Sequence, residues 1–117
     1  MTELFKLLSD DTRLRMLMLL SEEELCVCQL SGILDLSQPK ISKHLTKLRL
    51  SAVVNDDRRE KFVFYSLDDT NDVLKDIIAT IRKHRSDDPV LLKDLEGLKM
   101  KDSYLTSCGN KLSKLEV

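Results

Sequence analysis

The spacing of apolar and polar residues along the first 85 positions predicts a series of helices with one β-ribbon between them. Helices are predicted over residues 4–8, 12–20, 28–34, 37–51 and 71–84. Residues 52–54 and 62–67 are apolar runs that contain β-branched and aromatic side chains, and they predict two strands joined by a loop at 55–61. The pattern therefore indicates a mainly α fold with one β-hairpin.

The segment 37–51 has the clearest periodicity in the chain. Ile41, Leu45 and Leu48 recur at positions i, i+4 and i+7, so one side of this helix faces a core. The opposite side carries the lysines of the segment, which are Lys40, Lys43 and Lys47. A short helix and a tight turn precede the segment, and the ribbon follows it. This order of elements is typical of a winged helix-turn-helix, in which the ribbon is the wing.

The composition agrees with one helix-rich globular domain. The chain of 117 residues is 42% hydrophobic and 33% charged, with three glycines and two prolines. No apolar run approaches the ~20 residues needed to span a bilayer, and residues 1–6 lack the pattern of a secretory signal. We therefore expect a cytoplasmic protein without a membrane partner. Its three cysteines, an odd number, fit a reducing compartment.

The net charge of −1 conceals a basic stripe at the centre of the chain. Residues 37–61 contain seven bases and three acids, whereas residues 1–36 contain three bases and seven acids. Such a stripe on a nearly neutral protein is typical of a protein that binds double-stranded DNA and must also dissociate from it. The candidate DNA-binding residues are Ser37, Gln38, Lys40, Ser42, Lys43, His44 and Lys47 on the helix, and Arg58, Arg59 and Lys61 on the wing.

The apolar faces predict a second copy of the chain as a partner. The ridge of the helix at 71–84 comprises Val73, Leu74, Ile77, Ile78 and Ile81. A domain this small cannot bury that ridge together with the apolar face of the first helix. We therefore expect a homodimer through the first and last helices of a domain at 1–88, with two recognition helices about 34 Å apart. Residues 89–117 are predicted as a C-terminal extension, partly helical and then disordered from about Thr106.

Cys26 and Cys28 form the chemically distinctive stretch of the chain. Two such cysteines often pack simply as small apolar side chains. To bind one ion, their sulfurs must approach within about 4 Å, which i and i+2 do in extended backbone but not on an intact helix. Chelation would therefore favour unwinding the start of the third helix. Ligation by thiolates alone favours As(III), Sb(III), Cd(II) or Pb(II) over hard ions.

Four stretches of the chain resemble the ArsR/SmtB family of bacterial metal-sensing repressors. They are residues 4–14, residues 24–30 with the sequence ELCVCQL, residues 36–45 and residues 61–67. The second stretch is similar to the family's metal-binding box ELCVCDL, and the third to its recognition-helix signature. The resemblance covers residues 4–85. It implies a homodimeric repressor that binds its operator without metal and releases it when thiophilic ions bind.

The sequence departs from the family's patterns at several positions. Ser31 stands where arsenic-responsive members often carry a third cysteine, and Glu60 stands where a wing glycine is common. The helix at 71–84 offers only His84 toward the Asp/His set of zinc and nickel sensors. Cys108 is a candidate third metal ligand from the same or the other subunit, and an idle tail thiol is an equal alternative.

Together these patterns predict a homodimeric transcriptional repressor that needs no cofactor. Arsenite or antimonite bound at Cys26 and Cys28 would release it from operator DNA. One alternative keeps the repressor and changes its input to Cd(II), Pb(II) or thiol oxidation. Another is a degenerate winged helix that binds only protein. We predict no enzymatic activity, because no nucleophile–base pair or paired carboxylates stand in a recognisable arrangement.

Overall fold

The computed structural model describes residues 1–106, so Cys108 and the predicted disordered tail lie outside the described residues. In this range the helices are α1 (Thr2–Leu8), α2 (Asp11–Glu22), α3 (Val27–Leu34), α4 (Gln38–Leu50), α5 (Asp72–His84) and α6 (Pro89–Gly97). The strands are β1 (Leu25–Cys26), β2 (Val54–Arg59) and β3 (Phe62–Leu67). Residues 85–87 and 98–100 form 3-10 turns, and residues 101–106 are again helical. The order α3, α4, β2, β3 confirms the predicted winged helix-turn-helix.

The start of the recognition helix α4 follows from local capping. The Ser37 hydroxyl accepts a hydrogen bond from the backbone N–H of Lys40 at 3.4 Å, and a proline occupies the first turn. Asn71 caps α5 in the same way: its side-chain oxygen accepts a hydrogen bond from the backbone N–H of Leu74 at 3.0 Å.

The first strand of the hairpin begins two residues later than predicted and is longer, and the turn is tighter. Residues 55–59 belong to β2, and Arg59 pairs with Phe62, so the loop contains only Glu60 and Lys61. The prediction missed this because residues 55–59 are exposed and polar and carry no apolar alternation. Glu60 has a φ of 56°, a left-handed conformation that costs a non-glycine residue roughly 1–2 kcal/mol. Arg58 and Arg59 therefore lie in a strand beside the turn, not in a loop.

A third strand, which no sequence pattern predicted, completes the sheet. The two residues of β1 pair antiparallel with β3, Leu25 opposite Tyr65 and Cys26 opposite Phe64. The strand order is β1-β3-β2. A strand of two residues is too short to show any periodicity. Its consequence is that Cys26 is joined by backbone pairing to the wing.

The core lies under α4 and fixes the rotation of that helix. Ile41, Leu45 and Leu48 are fully buried, as their spacing predicted. The other large side chains at the centre of the core are Met16, Leu17, Leu19, Leu25, Leu30 and Leu74. Because one stripe of α4 is buried in this way, the lysine side of the helix faces outward.

Residues 89–106 pack against α2 and α3. Arg15 of α2 donates two hydrogen bonds, at 2.8 and 2.9 Å, to the carboxylate of Asp94 in α6, which is only 3% exposed. The Tyr104 ring covers Gly32 so closely that a Cβ on Gly32 would lie 2.3 Å from ring atoms. Glycine is therefore the residue that lets the last described helix approach α3. None of the helices in the described part of the chain is long and apolar enough to cross a membrane.

We expect Asp94→Ala to lower the free energy of unfolding by about 3 kcal/mol, because it leaves the partly buried Arg15 guanidinium without its partner. Urea denaturation followed by circular dichroism measures this loss. Glu96→Ala is the matched control, since Glu96 lies in the same helix and pairs with Lys99 on the exposed surface. That control should cost less than about 1 kcal/mol. Equal losses in the two variants would contradict a stabilising role for the buried pair.

Candidate DNA-binding surface and thiol site

The three predicted lysines of α4 lie together on its outer face. Lys40, Lys43 and Lys47 are exposed, and no carboxylate of the described residues lies within salt-bridge distance of them. Ser37, Gln38 and Ser42 are also exposed, at and near the start of the helix. This face combines positive charge with polar side chains that donate and accept hydrogen bonds. Such a combination is what contact with phosphates and base edges requires.

His44 occupies a different environment from the lysines. Its side chain is half-buried and has Asp10 and Arg13, at the start of α2, as electrostatic neighbours. Burial lowers the pKa of His44, and the Asp10 carboxylate opposes that shift. The imidazole is therefore mainly neutral near pH 7 and adds little positive charge to the lysine face.

The three basic residues of the wing differ in their surroundings. Arg58 and Lys61 are exposed beside the turn. Arg59 donates to the carboxylates of Glu24, at 2.7 Å, and Asp57, at 2.9 Å. The pKa of Arg59 is raised mainly by its hydrogen bond to Glu24 and, second, by its hydrogen bond to Asp57. Arg59 is thus engaged within the protein, which its charge pattern alone did not indicate.

Cys26 is the buried member of the cysteine pair. It ends β1 and is the N-cap residue of α3, with an extended backbone. The side-chain oxygen of Gln29 accepts from the Cys26 backbone N–H at 3.0 Å, and the Gln29 amide donates to the Lys101 carbonyl at 3.3 Å. This role of Gln29 was not predicted, although a glutamine three residues after an N-cap is a known capping signal.

Cys28 is half-buried in the first turn of α3. The side-chain amide of Gln38, the first residue of α4, donates to its sulfur at 3.8 Å. Cys28 lies in the helix predicted at 28–34, whereas Cys26 precedes that helix in extended backbone. Because Cys26 is already extended, bringing the two sulfurs together requires a change in the first turn of α3 alone.

A cavity of about 210 Å³ is lined in part by Cys26 and Cys28. Its remaining walls are Val27, Gln38, Lys61, Phe62, Val63 and Tyr65. The thiol site therefore lies where α3, the start of α4 and the wing meet. Within residues 1–106 no group of three or more His, Cys, Asp or Glu side chains is arranged to hold a metal ion. The third predicted donor, Cys108, lies outside that range.

Ser31 occupies the position where arsenic-responsive family members often carry a third cysteine, and its side chain makes a hydrogen bond within the fold. Its hydroxyl donates to the carbonyl oxygen of Leu36, in the turn between α3 and α4. Asp35 ends α3 in a left-handed conformation, with a φ of 55°. The serine therefore helps to close the turn that orients the recognition helix.

Comparison with known proteins agrees with this architecture. The model of the family described as bacterial regulatory protein, arsR family, matches residues 10–56. The arsenic resistance transcriptional regulator ArsR2 of Pseudomonas putida KT2440 is 36% identical over 107 residues, which cover 86% of this chain and 93% of that protein. ArsR1 of the same organism is 53% identical over 64 residues, which cover 54% of this chain and 50% of that protein.

The match to ArsR1 thus spans only half the length of that relative. Among solved structures, reduced HlyU from Vibrio cholerae N16961 superposes with a TM-score of 0.64 at 36% identity, covering 68% of this chain and 82% of that one. The similarity to ArsR2 over nearly the full length of both proteins, together with the winged helix-turn-helix, decides the assignment. The chain belongs to the arsR family of bacterial regulatory proteins.

Proposed function

We propose that this chain is a homodimeric transcriptional repressor that As(III) or Sb(III) releases from operator DNA by binding at Cys26 and Cys28. The observation that carries the proposal is the contact between the Cys28 sulfur and the Gln38 side chain. Gln38 is the first residue of the recognition helix, so it belongs to both the thiol site and the predicted DNA-contacting face. A ligand on the sulfur competes directly with this hydrogen bond.

In this proposal α4 enters the major groove and the wing follows the DNA backbone. The exposed ammonium groups of α4 neutralise phosphates and set the affinity and its salt dependence. Ser37, Gln38 and Ser42 anchor the helix end or contact base edges, and Arg58 and Lys61 extend the contacts along the backbone. His44 flanks this surface as a neutral hydrogen-bonding group.

A two-fold dimer through α1 and α5 provides the second recognition helix. Leu74 and Ile78 of α5 face the core of the protomer, whereas Val73 is 38% exposed and Ile77 and Ile81 are only partly covered. Phe5 of α1 is 54% exposed. Apolar side chains left outside the core on these two helices support an interface between copies of the chain.

The ligand chemistry follows from the thiol donors. Arsenous acid exchanges hydroxide for thiolate: each new As–S bond replaces an As–O bond, and the hydroxide leaves as water with the thiol proton. Cys26 and Cys28 supply two sulfurs, and Cys108 or a small exogenous thiol supplies the third.

Two contacts then link the binding of the ion to the binding of DNA. A ligand on Cys28 removes the acceptor of the Gln38 amide, and bringing the sulfurs together pulls on Cys26, which pairs with Phe64 of the wing. Each ligand disfavours the conformation that the other binds, and the coupling is reciprocal.

We expect reduced protein to bind a duplex selected from a random library and to lose at least about tenfold in affinity when arsenite or antimonite saturates it, a coupling typical of regulated sites. Fluorescence anisotropy of a labelled duplex measures the affinity, with cadmium, lead and zinc as comparison ions. Release by cadmium or lead, but not by arsenite, would change the assignment of the ion. Insensitivity to every ion would contradict the thiol switch, and a monomer in sedimentation equilibrium would contradict the dimer.

A further inference from the structure

Three consecutive carboxylates at the end of α2 lead into the cysteine segment, residues 24–28. Each carboxylate pairs with a cation from a different part of the fold. The pairs are Glu22 with Arg82 of α5 and with Arg85 of the 3-10 turn that follows it, Glu23 with Lys101, and Glu24 with Arg59 of the wing. The last of these joins the DNA-contacting hairpin to a residue two positions before Cys26.

The geometry around Arg59 is that of an anchored side chain. Its two terminal nitrogens donate to the two carboxylate oxygens of Glu24, a bidentate pairing. Its Nε donates to Asp57, and the guanidinium lies 5.1 Å from the centre of the Phe64 ring. Phe64 is in turn paired with Cys26 across the sheet. The contacts of Arg59 therefore converge on the cysteine segment.

This arrangement differs from an ordinary surface ion pair. Isolated exposed pairs contribute little, but bidentate arginine–carboxylate pairs within a network are the recognised exception. Both side chains are a little under half exposed, 47% for Arg59 and 44% for Glu24. Stacking on an aromatic ring further restricts the guanidinium.

We propose that Arg59 is a positioning residue of the wing and not a phosphate contact, and that its ion pair with Glu24 connects the wing to the cysteine segment. This inference rests on the proposed function, since it concerns how the DNA-bound wing is held. Glu24 and Arg59 hold β2 and β3 at a fixed position relative to β1. A change at Cys26 and Cys28 moves Glu24, and the wing moves with it.

The competing possibility is that Arg59 contacts phosphate and that Glu24 merely occupies it in the absence of DNA. The two cases predict opposite effects of Glu24→Gln. If the pair positions the wing, the substitution weakens operator binding by about fivefold or more, within the range of coupling between contacting residues. If Arg59 contacts phosphate, the substitution removes a competitor and one negative charge, and binding becomes tighter.

The test measures operator affinity by fluorescence anisotropy for Glu24→Gln, Arg59→Ala, the double variant and the charge exchange E24R/R59E. We expect both single variants to weaken binding, the double variant to be no weaker than Arg59→Ala alone, and the charge exchange to recover most of the affinity. A carboxylate at position 59 repels phosphate, so recovery is incompatible with a direct phosphate contact. Failure of the charge exchange to recover affinity would overturn the proposal.

Glu23→Gln is the matched control, because it removes the same charge from the neighbouring residue, whose partner is Lys101. It should change operator affinity by less than about twofold, as expected of an exposed ion pair outside the wing. A second readout is the fold-change in affinity caused by saturating arsenite, which should fall in Glu24→Gln and not in Glu23→Gln.

The outcomes separate this inference from the proposed function. Wild-type protein that binds the duplex, together with a Glu24→Gln variant that binds more tightly, overturns the positioning role alone. Wild-type protein that binds no duplex overturns both. Thermal melting of each variant, monitored by circular dichroism, identifies any variant whose loss of binding reflects unfolding, and the charge exchange then decides.

Discussion

Cys28→Ser is expected to abolish the release of operator DNA by arsenite while leaving operator affinity within about threefold of the wild type. The serine oxygen is a hard ligand that does not replace a thiolate on As(III). It nevertheless retains the size of the side chain and an acceptor for the Gln38 amide, which donates to the Cys28 sulfur at 3.8 Å. The coupling between ion and DNA, about tenfold or more in the wild type, should therefore fall to about one.

Two further variants assign the remaining ligands in the same anisotropy titration. Cys26→Ser should have the same effect, because it removes one of the two thiolates that the proposed chelate requires. Cys108→Ser distinguishes a third protein ligand from an idle thiol: a higher arsenite concentration for half-release identifies a ligand, and an unchanged one assigns the third position to an exogenous thiol. Arsenite release that persists in the double variant Cys26→Ser/Cys28→Ser would exclude this site.

The recognition helix could be predicted because its signals are local and repeated. Three apolar residues at helical spacing, a serine cap and a proline in the first turn all indicate the same helix, and Ser37 and the buried stripe occupy the expected places. The sheet offered much less. β2 is polar and exposed along most of its length, so hydrophobic alternation could not reveal it.

The sequence predicted which residues belong to the candidate site but not which other residues they contact. Charge and the Cys-x-Cys spacing identify the basic and sulfur-bearing side chains, yet neither reports what those side chains contact. Arg59 and Glu24 lie 35 positions apart, and the backbone pairing that brings them together runs through β1, which has only two residues. Contacts between distant segments depend on the whole fold, which is why a charge pattern grouped Arg59 with Arg58 and Lys61.

The same limit applies to the end of the chain. The apolar spacing indicated a partly helical extension beyond Pro89, but not what it would touch. The Arg15–Asp94 ion pair and the Tyr104–Gly32 contact pack this extension onto α2 and α3. Through Gln29 and the Lys101 carbonyl it also reaches the N-cap of α3, so the extension lies close enough to influence the thiol site.

Lys43→Glu is expected to weaken operator binding by more than about 100-fold in 0.1 M salt, since each subunit of the proposed dimer loses a phosphate contact and gains a repulsion between the new carboxylate and the phosphates. Lys43 lies at the middle of the exposed face of α4, so the free energy of unfolding should change by less than about 0.5 kcal/mol. Lys93→Glu, the same change at an exposed position of α6, is the matched control. The slope of log affinity against log salt should decrease in magnitude by about 0.9 per lost contact, or about 1.8 per dimer. If Lys93→Glu weakened operator binding equally, the loss would reflect the change in net charge and not a contact of Lys43. If Lys43→Glu left operator affinity unchanged, a winged helix that binds protein instead of DNA would be favoured.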